Sequence, residues 1–393
     1  MRIEPLAVPT GPAVLDLLPR LARALDGGRP IAPYAAGSPP PVLAPDWARE
    51  DSDTDGDLAV VIGTSGSTGT PKRAMLTSTN LRASIDATHA RLDGPGTWLL
   101  TVPGHHIAGL QVLLRAITAD SAPHVVDTST GFTPRAFIDA VDTMPDQPSA
   151  PAYVSLVPTQ LVRLLDDVDA TERLARFAAV LVGGAATDPR LLERAAAADV
   201  TAVTTYGMSE TAGGCVYSGR PLDGTRVDLD ESTGRIHLTG PTVAAGYLAD
   251  PERTAAAFPR PGTFRTDDVG HLDDDGVLHV DGRIDDVITT GGLKVAPRIV
   301  EEAVAALPQI GEAVAVGVPD PEWGQVVAVA VVPAADTTTA HPLTVSELRE
   351  HLRGILPDHA LPRALRHVTT IPTRGPGKPD RAGIRALFDA VGE

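Results

Sequence analysis

Blocks of apolar and polar residues alternate along the first half of the chain and predict strands and helices in turn. Short, largely apolar runs such as 57–62 and 177–182 predict buried strands, because strands covered on both faces need few polar positions. Apolar residues at helical spacing, as in Leu81, Ile85 and Leu92, predict helices between them. Alternation of this kind indicates a mainly parallel sheet with helices on both faces.

The pattern changes after Pro221. Short β-like runs separated by Asp/Gly turns predict a small β-rich part, and a new α/β pattern begins near Pro297. We therefore predict the class α/β, with a large N-terminal domain of parallel or mixed sheets and flanking helices over 1–284. A small α+β domain would follow over 285–393. The Pro- and Gly-rich stretch 27–45 predicts irregular surface structure.

Composition narrows the classes of protein. The chain has 393 residues, of which 43% are hydrophobic and 4% aromatic, so Ala, Val and Leu must fill the core. A net charge of −17 argues against nucleic acid or an anionic membrane as the main partner. One cysteine excludes an internal disulfide, and no apolar run approaches the roughly 20 residues of a membrane span. These features predict a cytoplasmic protein without membrane insertion.

The segment Gly63–Lys72 is the most distinctive stretch of the chain. Its sequence, Gly-Thr-Ser-Gly-Ser-Thr-Gly-Thr-Pro-Lys, follows a predicted strand and combines three glycines with five hydroxyl side chains and a lysine. Backbone N–H groups, hydroxyls and a lysine are suited to holding a polyphosphate. The P-loop pattern fails because Lys72 follows Pro71, and G-x-G-x-x-G fails because the glycines are three residues apart.

Three other polar segments also follow predicted strands. They are His105/His106, Gly183–Ala185 and Tyr206–Thr211. In open α/β sheets, ligands bind beyond the carboxyl ends of the strands. We therefore expect these three segments and the glycine loop to form one site.

Five motifs together identify a family resemblance. They are Thr64–Lys72, Tyr206-Gly-Met-Ser-Glu210, Phe264-Arg-Thr-Asp-Asp268, Gly282-Arg-Ile-Asp285 and Gly375-Pro-Gly-Lys378. From about residue 57 to the end, the chain resembles the adenylate-forming superfamily of acyl-CoA synthetases, luciferases and peptide-synthetase adenylation domains. The segments 104–109, 207–216 and 290–295 look most like the actinobacterial o-succinylbenzoate–CoA ligases of menaquinone biosynthesis.

The resemblance implies a reaction in two steps. A carboxylate attacks the α-phosphate of ATP to give an acyl-adenylate and pyrophosphate, and the thiol of coenzyme A then displaces AMP. The implied cofactors are ATP, Mg²⁺ and coenzyme A as co-substrate. The implied acid is an aromatic dicarboxylic acid, o-succinylbenzoate. A homodimer is left open.

Individual roles follow from the same resemblance. Lys72 and the glycine loop would hold the β- and γ-phosphates, and Glu210 would be the Mg²⁺ ligand. Lys378 would bridge the carboxylate and the α-phosphate in the first step only, carried in by a mobile C-terminal domain with its hinge at Asp285. The implied catalytic residues are Lys378, Glu210, Ser209 and His106. The implied binding residues for ATP or coenzyme A are Thr64, Ser65, Gly66, Ser67, Thr68, Gly69, Lys72, Gly183, Gly184, Ala185, Thr205, Tyr206, Gly207, Met208, Asp268, Arg283, Gly291 and Gly292.

Some assignments rest on a choice between alternatives. The family usually has glycine at the position of Asp267; we assign the ribose contact to Asp268 and interpret Asp267 and 273–275 as turn acids. Cys215 is interpreted as a packing residue, so the thiol must come from outside. His106 would contact the acyl group or gate its site. The alternatives are a ligase for another aryl or acyl acid, an adenylation domain that loads a carrier protein, and a non-catalytic nucleotide-binding scaffold.

Overall fold

The chain folds into two compact units. The computed structural model describes residues 2–43, 57–64, 72–145, 150–334, 342–374 and 378–389. Residues 1–228 and 237–265 form the first unit, and residues 229–236 and 266–393 form the second. The predicted division into functional domains at residue 285 stays a prediction.

A four-stranded sheet opens the first unit. Its first three strands are parallel, and the fourth is antiparallel to the third, so the glycine loop connects the two strands of a hairpin. One strand lies inside the stretch 27–45, which we had predicted to be irregular. Its residues 31–33 are buried, and Pro30 and Pro33 conceal the strand pattern. The strands, in sheet order, are β1 (Glu4–Val8), β2 (Ile31–Ala35), β3 (Leu58–Gly63) and β4 (Arg73–Thr77).

A seven-stranded sheet forms the centre of the first unit. The strands predicted from apolar runs pair in parallel, whereas the two after residue 212 turn back and pair antiparallel. The strands are β5 (Thr97–Leu100), β6 (His124–Val125), β7 (Ala152–Leu156), β8 (Ala179–Val182), β9 (Ala202–Met208), β10 (Gly213–Tyr217) and β11 (Arg220–Pro221). Their order is β11-β10-β9-β8-β7-β5-β6.

Helices cover both faces of this sheet, as predicted. One apolar cluster joins both sheets to the first three helices, and a second covers the other face with the remaining four. Asp188 caps the last of them by accepting from the Arg190 N–H at 2.8 Å, as its sequence position predicts. The helices are α1 (Leu18–Leu25), α2 (Ser78–Arg91), α3 (Ile107–Thr118), α4 (Pro134–Val141), α5 (Pro158–Leu165), α6 (Val168–Leu174) and α7 (Pro189–Ala197).

A four-stranded sheet and one short helix follow along the chain. They supply the β-rich part that the Asp/Gly turns predict. The elements are β12 (Arg226–Leu229), β13 (Arg235–Thr239), α8 (Pro251–Ala257), β14 (Thr263–Leu272) and β15 (Leu278–Arg283), with the strands in chain order in the sheet.

The second unit contains another mixed sheet with helices on both faces. Its longest hairpin shows the period of two expected for a strand buried on both sides: Val327, Val329 and Val331 enter one apolar cluster, and Val326 and Ala328 enter the other. The elements are β16 (Ile288–Thr290), β17 (Leu293–Val295), α9 (Pro297–Ala305), β18 (Ile310–Asp320), β19 (Gly324–Pro333), α10 (Val345–Leu352), β20 (Ala364–His367), β21 (Thr373–Arg374), β22 (Lys378–Pro379) and α11 (Arg381–Asp389).

The predicted α/β class, with mixed sheets and flanking helices, is confirmed. Among the described residues, no helix has both the length and the apolar content needed to cross a bilayer.

Candidate functional site

Three of the predicted segments meet at one edge of the seven-stranded sheet. His105 and His106 follow β5, and Gly183–Ala185 follow β8. Tyr206 lies near the carboxyl end of strand β9. Because β5, β8 and β9 run parallel, their carboxyl ends share an edge, as expected. The glycine loop follows β3, which belongs to another sheet of the first unit.

Strand β9 is the most accessible strand inside this sheet. All seven of its residues are only half-buried, although β9 lies between β8 and β10. An interior strand with covered faces would be buried. Its exposed surface, which includes Thr205–Met208, is therefore available to a ligand.

Close packing explains two of the glycines at this edge. A Cβ atom on Gly183 would collide with the Thr205 hydroxyl, and one on Gly207 would lie 2.7 Å from the Cα of Gly214. Any larger residue at Gly207 would force β9 and β10 apart. The glycines thus have a packing role that is independent of any contact with adenine.

The turn after β9 fixes the position of Glu210. The Thr211 hydroxyl accepts from the Met208 N–H at 3.0 Å and donates to the Gly213 carbonyl at 2.8 Å. Ala212 follows with a left-handed φ of 53°. Helices α2 and α3 hold its carbonyl, which accepts from Ser84 at 3.1 Å and from Gln111 at 2.7 Å. The turn is therefore anchored to the core on both sides.

The Glu210 carboxylate is nearly buried, with 7% of the residue exposed. It accepts a hydrogen bond of 2.8 Å from the hydroxyl of Tyr247. The Lys72 ammonium lies 5.4 Å from the centroid of the same tyrosine ring, within the range of a cation–π contact. Sequence reasoning found Glu210 and Lys72 but missed Tyr247, which contacts both.

The glycine loop itself falls mostly outside the described residues. Ser65, Gly66, Ser67, Thr68 and Gly69 are not described. Its base is described: the Thr64 N–H donates to the Lys72 carbonyl at 2.8 Å, and Gly63 pairs with Arg73. Lys72 therefore leaves the loop directly into β4.

His105 and His106 lie between β5 and α3. Their rings are 4.3 Å apart, and His106 is the N-cap residue of α3. Burial, together with the nearby charge of His106, lowers the pKa of His105 to about 4. His105 is therefore neutral at physiological pH and forms a polar, uncharged surface at this edge of the sheet.

Cys215 is fully buried in β10. Burial raises the pKa of its thiol to about 12, so the thiolate is suppressed at neutral pH. The interpretation of Cys215 as a packing residue agrees with this environment.

Acidic and basic side chains cluster on β13–β15 in the second unit. Asp267 accepts from Arg235 at 2.6 Å and from Arg283 at 3.3 Å. Arg283 also lies opposite Asp268 in the β14–β15 pairing, with 3.6 Å between their charged groups. Asp267 is thus a strand residue in an ion-pair network, and its interpretation as a turn acid is wrong.

Asp268 and the acids at 273–275 have different environments. Asp268 is the less accessible of the pair, with 14% of its side chain exposed against 38% for Asp267. The acids at 273–275 do lie in the hairpin turn, where Asp273 accepts from the backbone of Asp275 and Val277.

Gly291 and Gly292 form the two-residue turn between β16 and β17. Their φ angles of 56° and 80° are those of a type I′ hairpin, which favours glycine. A Cβ on Gly291 would also lie 2.8 Å from the Trp323 ring. The geometry of the turn therefore explains glycine at both positions, independently of any ligand.

The last two predicted residues lie in less constrained positions. Asp285 lies in a short turn with 69% of its side chain exposed, 3.8 Å from Arg283. The backbone of Lys378 pairs with Arg374, but its side chain lies outside the described residues.

Glu210 offers one buried carboxylate to the Mg²⁺ that the family resemblance implies. Within the described residues, no group of three or more His, Cys, Asp or Glu side chains is arranged around a metal position. Mg²⁺ commonly uses one or two carboxylates and takes its remaining ligands from substrate phosphates and water. A single buried carboxylate at a strand end is compatible with that mode of binding.

An accessible strand with polar residues at the carboxyl ends of its parallel neighbours is typical of a ligand-binding α/β protein. Residues 32–248 match the family of AMP-binding enzymes, and residues 299–378 match the AMP-binding enzyme C-terminal domain. The chain belongs to this family of AMP-binding enzymes.

Individual relatives extend the similarity over nearly the whole chain. A probable 2-succinylbenzoate–CoA ligase from Mycobacterium tuberculosis is 43% identical over 389 residues, covering 98% of each chain. A sulfoacetate–CoA ligase from Cupriavidus necator is 32% identical, covering 89% of this chain and 69% of its own. The structure of the amide bond synthetase McbA from Marinactinospora thermotolerans superposes with a TM-score of 0.75 at 27% identity, covering 98% of this chain and 80% of its own.

Proposed function

We propose that this enzyme is an AMP-forming acid–CoA ligase that acts on 2-succinylbenzoate (o-succinylbenzoate). Its products are 2-succinylbenzoyl-CoA, AMP and pyrophosphate, and its expected place is in menaquinone biosynthesis. The observation that carries the proposal is the 43% identity to the mycobacterial 2-succinylbenzoate–CoA ligase over 98% of both chains.

The chemistry balances in two half-reactions. A substrate carboxylate oxygen attacks the α-phosphorus of ATP, the bond to the β-phosphate oxygen breaks, and pyrophosphate leaves. The coenzyme A thiol then loses its proton and attacks the acyl carbon, and AMP leaves as the mixed anhydride bond breaks. The buried Cys215 with its raised thiol pKa supports an external thiol as nucleophile.

Charge neutralisation governs the first half-reaction. Lys72 and the glycine loop would neutralise the β- and γ-phosphates, and Glu210 would hold Mg²⁺ there. Bound Mg²⁺ supplies positive charge to the polyphosphate oxygens. The Ser209 hydroxyl would donate a hydrogen bond near the α-phosphate, and Lys378 would orient the attacking carboxylate.

The adenine would bind along β9. Tyr206 would lie against adenine, with Thr205, Gly207 and Met208 beside it and the small residues Gly183, Gly184 and Ala185 on the other wall. The half-exposed surface of β9 supports this assignment. Asp268 would accept hydrogen bonds from the ribose hydroxyls, with Arg283 beside it. Because the nearby Asp267 already engages Arg235, it is less available to a ligand.

The acyl group would bind near α3. His106 would contact it, and neutral His105 beside it would avoid a fixed charge next to an aromatic ring. Gly213 lies beside α3, since a Cβ at its position would touch Gln111 at 3.5 Å and Ile107 at 3.8 Å. Gly291 and Gly292 would line the path of the coenzyme A arm, and Asp285 would be the hinge. Cytoplasmic location and a homodimer stay predictions.

Product analysis with a panel of acids tests the substrate. The purified enzyme is given ATP, Mg²⁺ and coenzyme A with 2-succinylbenzoate, benzoate, succinate or sulfoacetate. We expect kcat/KM for 2-succinylbenzoate to exceed that of the other acids by at least about 100-fold, since lost contacts to a second carboxylate are worth several kcal/mol. Thioester, AMP and pyrophosphate should form in equal amounts.

Each alternative has its own result in this panel. Preference for another acid would change the assigned substrate, and the assignment as an acid–CoA ligase would remain. Adenylate without thioester, and acyl transfer to an added amine or carrier protein, would indicate a different acceptor. ATP binding without pyrophosphate release from any acid would indicate a nucleotide-binding scaffold.

A further inference from the structure

Tyr247 occupies a fixed position next to the glycine-loop hairpin. The loop that carries it extends the edge of β4: the Met75 N–H donates to the Gly246 carbonyl at 2.9 Å, and the Leu248 N–H donates to the Arg73 carbonyl at 2.8 Å. Only 3% of Tyr247 is exposed, and its ring packs edge-on against Phe258 at 5.3 Å. The ring therefore has little freedom to move.

The hydroxyl of Tyr247 fixes the Glu210 carboxylate. An ionised carboxylate only accepts hydrogen bonds, so the phenol is the donor in the 2.8 Å contact. The backbone of Glu210 is held as well, because its carbonyl accepts from the Ala244 N–H at 2.9 Å. Ala244 belongs to the same loop as Tyr247. One loop thus fixes both the backbone and the side chain of Glu210.

The ring of Tyr247 also contacts the cation of the glycine loop. The Lys72 ammonium lies 5.4 Å from its centroid, and Lys72 immediately precedes β4, the strand whose edge carries the tyrosine loop. A cation held over the face of an aromatic ring is attracted by the negative charge density of that face. A single side chain therefore contacts the carboxylate expected to hold the metal and the lysine expected to hold the phosphates.

We propose that Tyr247 is a positioning residue that sets Glu210 and Lys72 for binding the metal–ATP complex. Through its hydroxyl it orients the carboxylate toward the metal, and through its ring it restrains the ammonium. The inference rests on the proposed function of Glu210 and Lys72. The competing interpretation is that Tyr247 is only a core aromatic whose buried hydroxyl requires a partner.

Binding of Mn²⁺ in place of Mg²⁺ separates the two interpretations without turnover. Mn²⁺ is titrated into enzyme and ATP, with no acid present, and followed by electron paramagnetic resonance. Y247F keeps the ring and removes the donor, so we expect Mn²⁺–ATP affinity to fall about tenfold, the scale of one hydrogen bond to a charged group. ATP affinity measured in EDTA should stay unchanged, because the Lys72 contact is retained.

Tyr217 provides a matched control. It is also a buried tyrosine of the first unit, and its hydroxyl lies 3.0 Å from that of Thr88, away from Glu210. Y217F should lower the melting temperature and leave Mn²⁺–ATP affinity as in the wild type. Y247L removes the ring too, and should weaken ATP binding even in EDTA.

A double-mutant comparison decides between the outcomes. If Tyr247 acts through Glu210, adding Y247F to E210Q should cause no further loss of Mn²⁺ affinity. Two results would overturn the inference and leave the proposed function intact. One is additive loss of Mn²⁺ affinity in the double variant. The other is a Mn²⁺ affinity of Y247F within twofold of wild type while E210Q loses Mn²⁺ binding. Unchanged Mn²⁺ affinity in E210Q would overturn both this inference and the metal role of Glu210, whereas the choice of acid is decided separately by product analysis.

Discussion

The polar motif residues are held in different ways in the two units. In the first unit, Glu210 and Tyr247 are buried and joined by a hydrogen bond, on a turn anchored to two helices. In the second unit, Arg283 and Asp267 are ion-paired on the surface, with 45% and 38% of their side chains exposed. Asp285 is more exposed still, at 69%.

The difference has energetic consequences. A buried carboxylate that loses its donor is left with an unsatisfied polar group, which costs about 1–3 kcal/mol or more. Exposed ion pairs are screened by water and salt and contribute about 0–1 kcal/mol. The contacts of Glu210 are therefore preformed, whereas the exposed ion pairs of Arg283 with Asp267 and Asp285 can exchange at little cost.

The largest expected effect separates the two half-reactions. K378A should reduce adenylate formation by about 10²–10³-fold, because a charge-stabilising contact in the transition state is lost. Thioester formation from supplied acyl-adenylate and coenzyme A should be unchanged. Pyrophosphate release measures the first step, and thioester formation under single-turnover conditions measures the second.

Equal loss in both steps would contradict a role for Lys378 in one half-reaction only. The exposed Lys294 on β17 is a suitable control, because K294A removes a lysine from the same unit without touching the Gly-Pro-Gly-Lys segment. K294A should leave adenylate formation as it is.

A smaller effect distinguishes the two neighbouring acids of the second unit. D268N should weaken ATP binding by about 10- to 100-fold, since hydrogen bonds to a charged acceptor are worth about 1.5–3 kcal/mol. D267N removes only an exposed ion-pair partner of Arg235 and Arg283 and should change ATP affinity less than about fivefold.

Isothermal titration calorimetry at low and high salt measures the ATP affinity of both variants under the same conditions. The small D267N effect should shrink as salt rises, because exposed charges are screened. A larger loss in D267N than in D268N would reverse the assignment of the ribose contact.

Strands and helices could be predicted where adjacent residues alone carry the pattern. Strands β7 and β8 are continuous apolar runs, and helix α5 begins at a proline, so both kinds of element could be found from adjacent residues. Strand β2 was missed because prolines interrupt its pattern. Strand β10 was not predicted, because Gly213 and Gly214 weaken its strand pattern. A Cβ on Gly214 would lie 3.0 Å from the Tyr217 ring and 3.3 Å from Thr205, so glycine suits that position.

Contacts between distant residues could not be predicted in this way. Glu210 was found through its motif, but its partner Tyr247 lies 37 positions further along the chain. Arg115 is another example: helical spacing alone suggests an exposed basic residue, yet it is 3% exposed and lies over the Trp98 ring. Burial lowers the pKa of this arginine, and the hydroxyls of Thr88 and Tyr217 accept its hydrogen bonds.

The smallest expected effect concerns His105 and the pH dependence of stability. Its pKa is lowered from 6.5 to about 4 in the folded protein, first by burial and then by His106. Between these values the unfolded chain binds more protons than the folded one, so the free energy of unfolding rises with pH. The stabilisation is present above pH 6.5 and is lost as pH falls toward 4. Because His105 is only partly buried, we expect about 1 kcal/mol rather than the full value of the shift.

Urea unfolding of the wild type and H105N at several pH values between 4 and 7 measures this contribution. H105N removes the titrating group and should flatten the pH dependence by about 1 kcal/mol across this range. If H105N keeps the wild-type slope, burial does not lower the pKa of the strand-end histidine of the first unit.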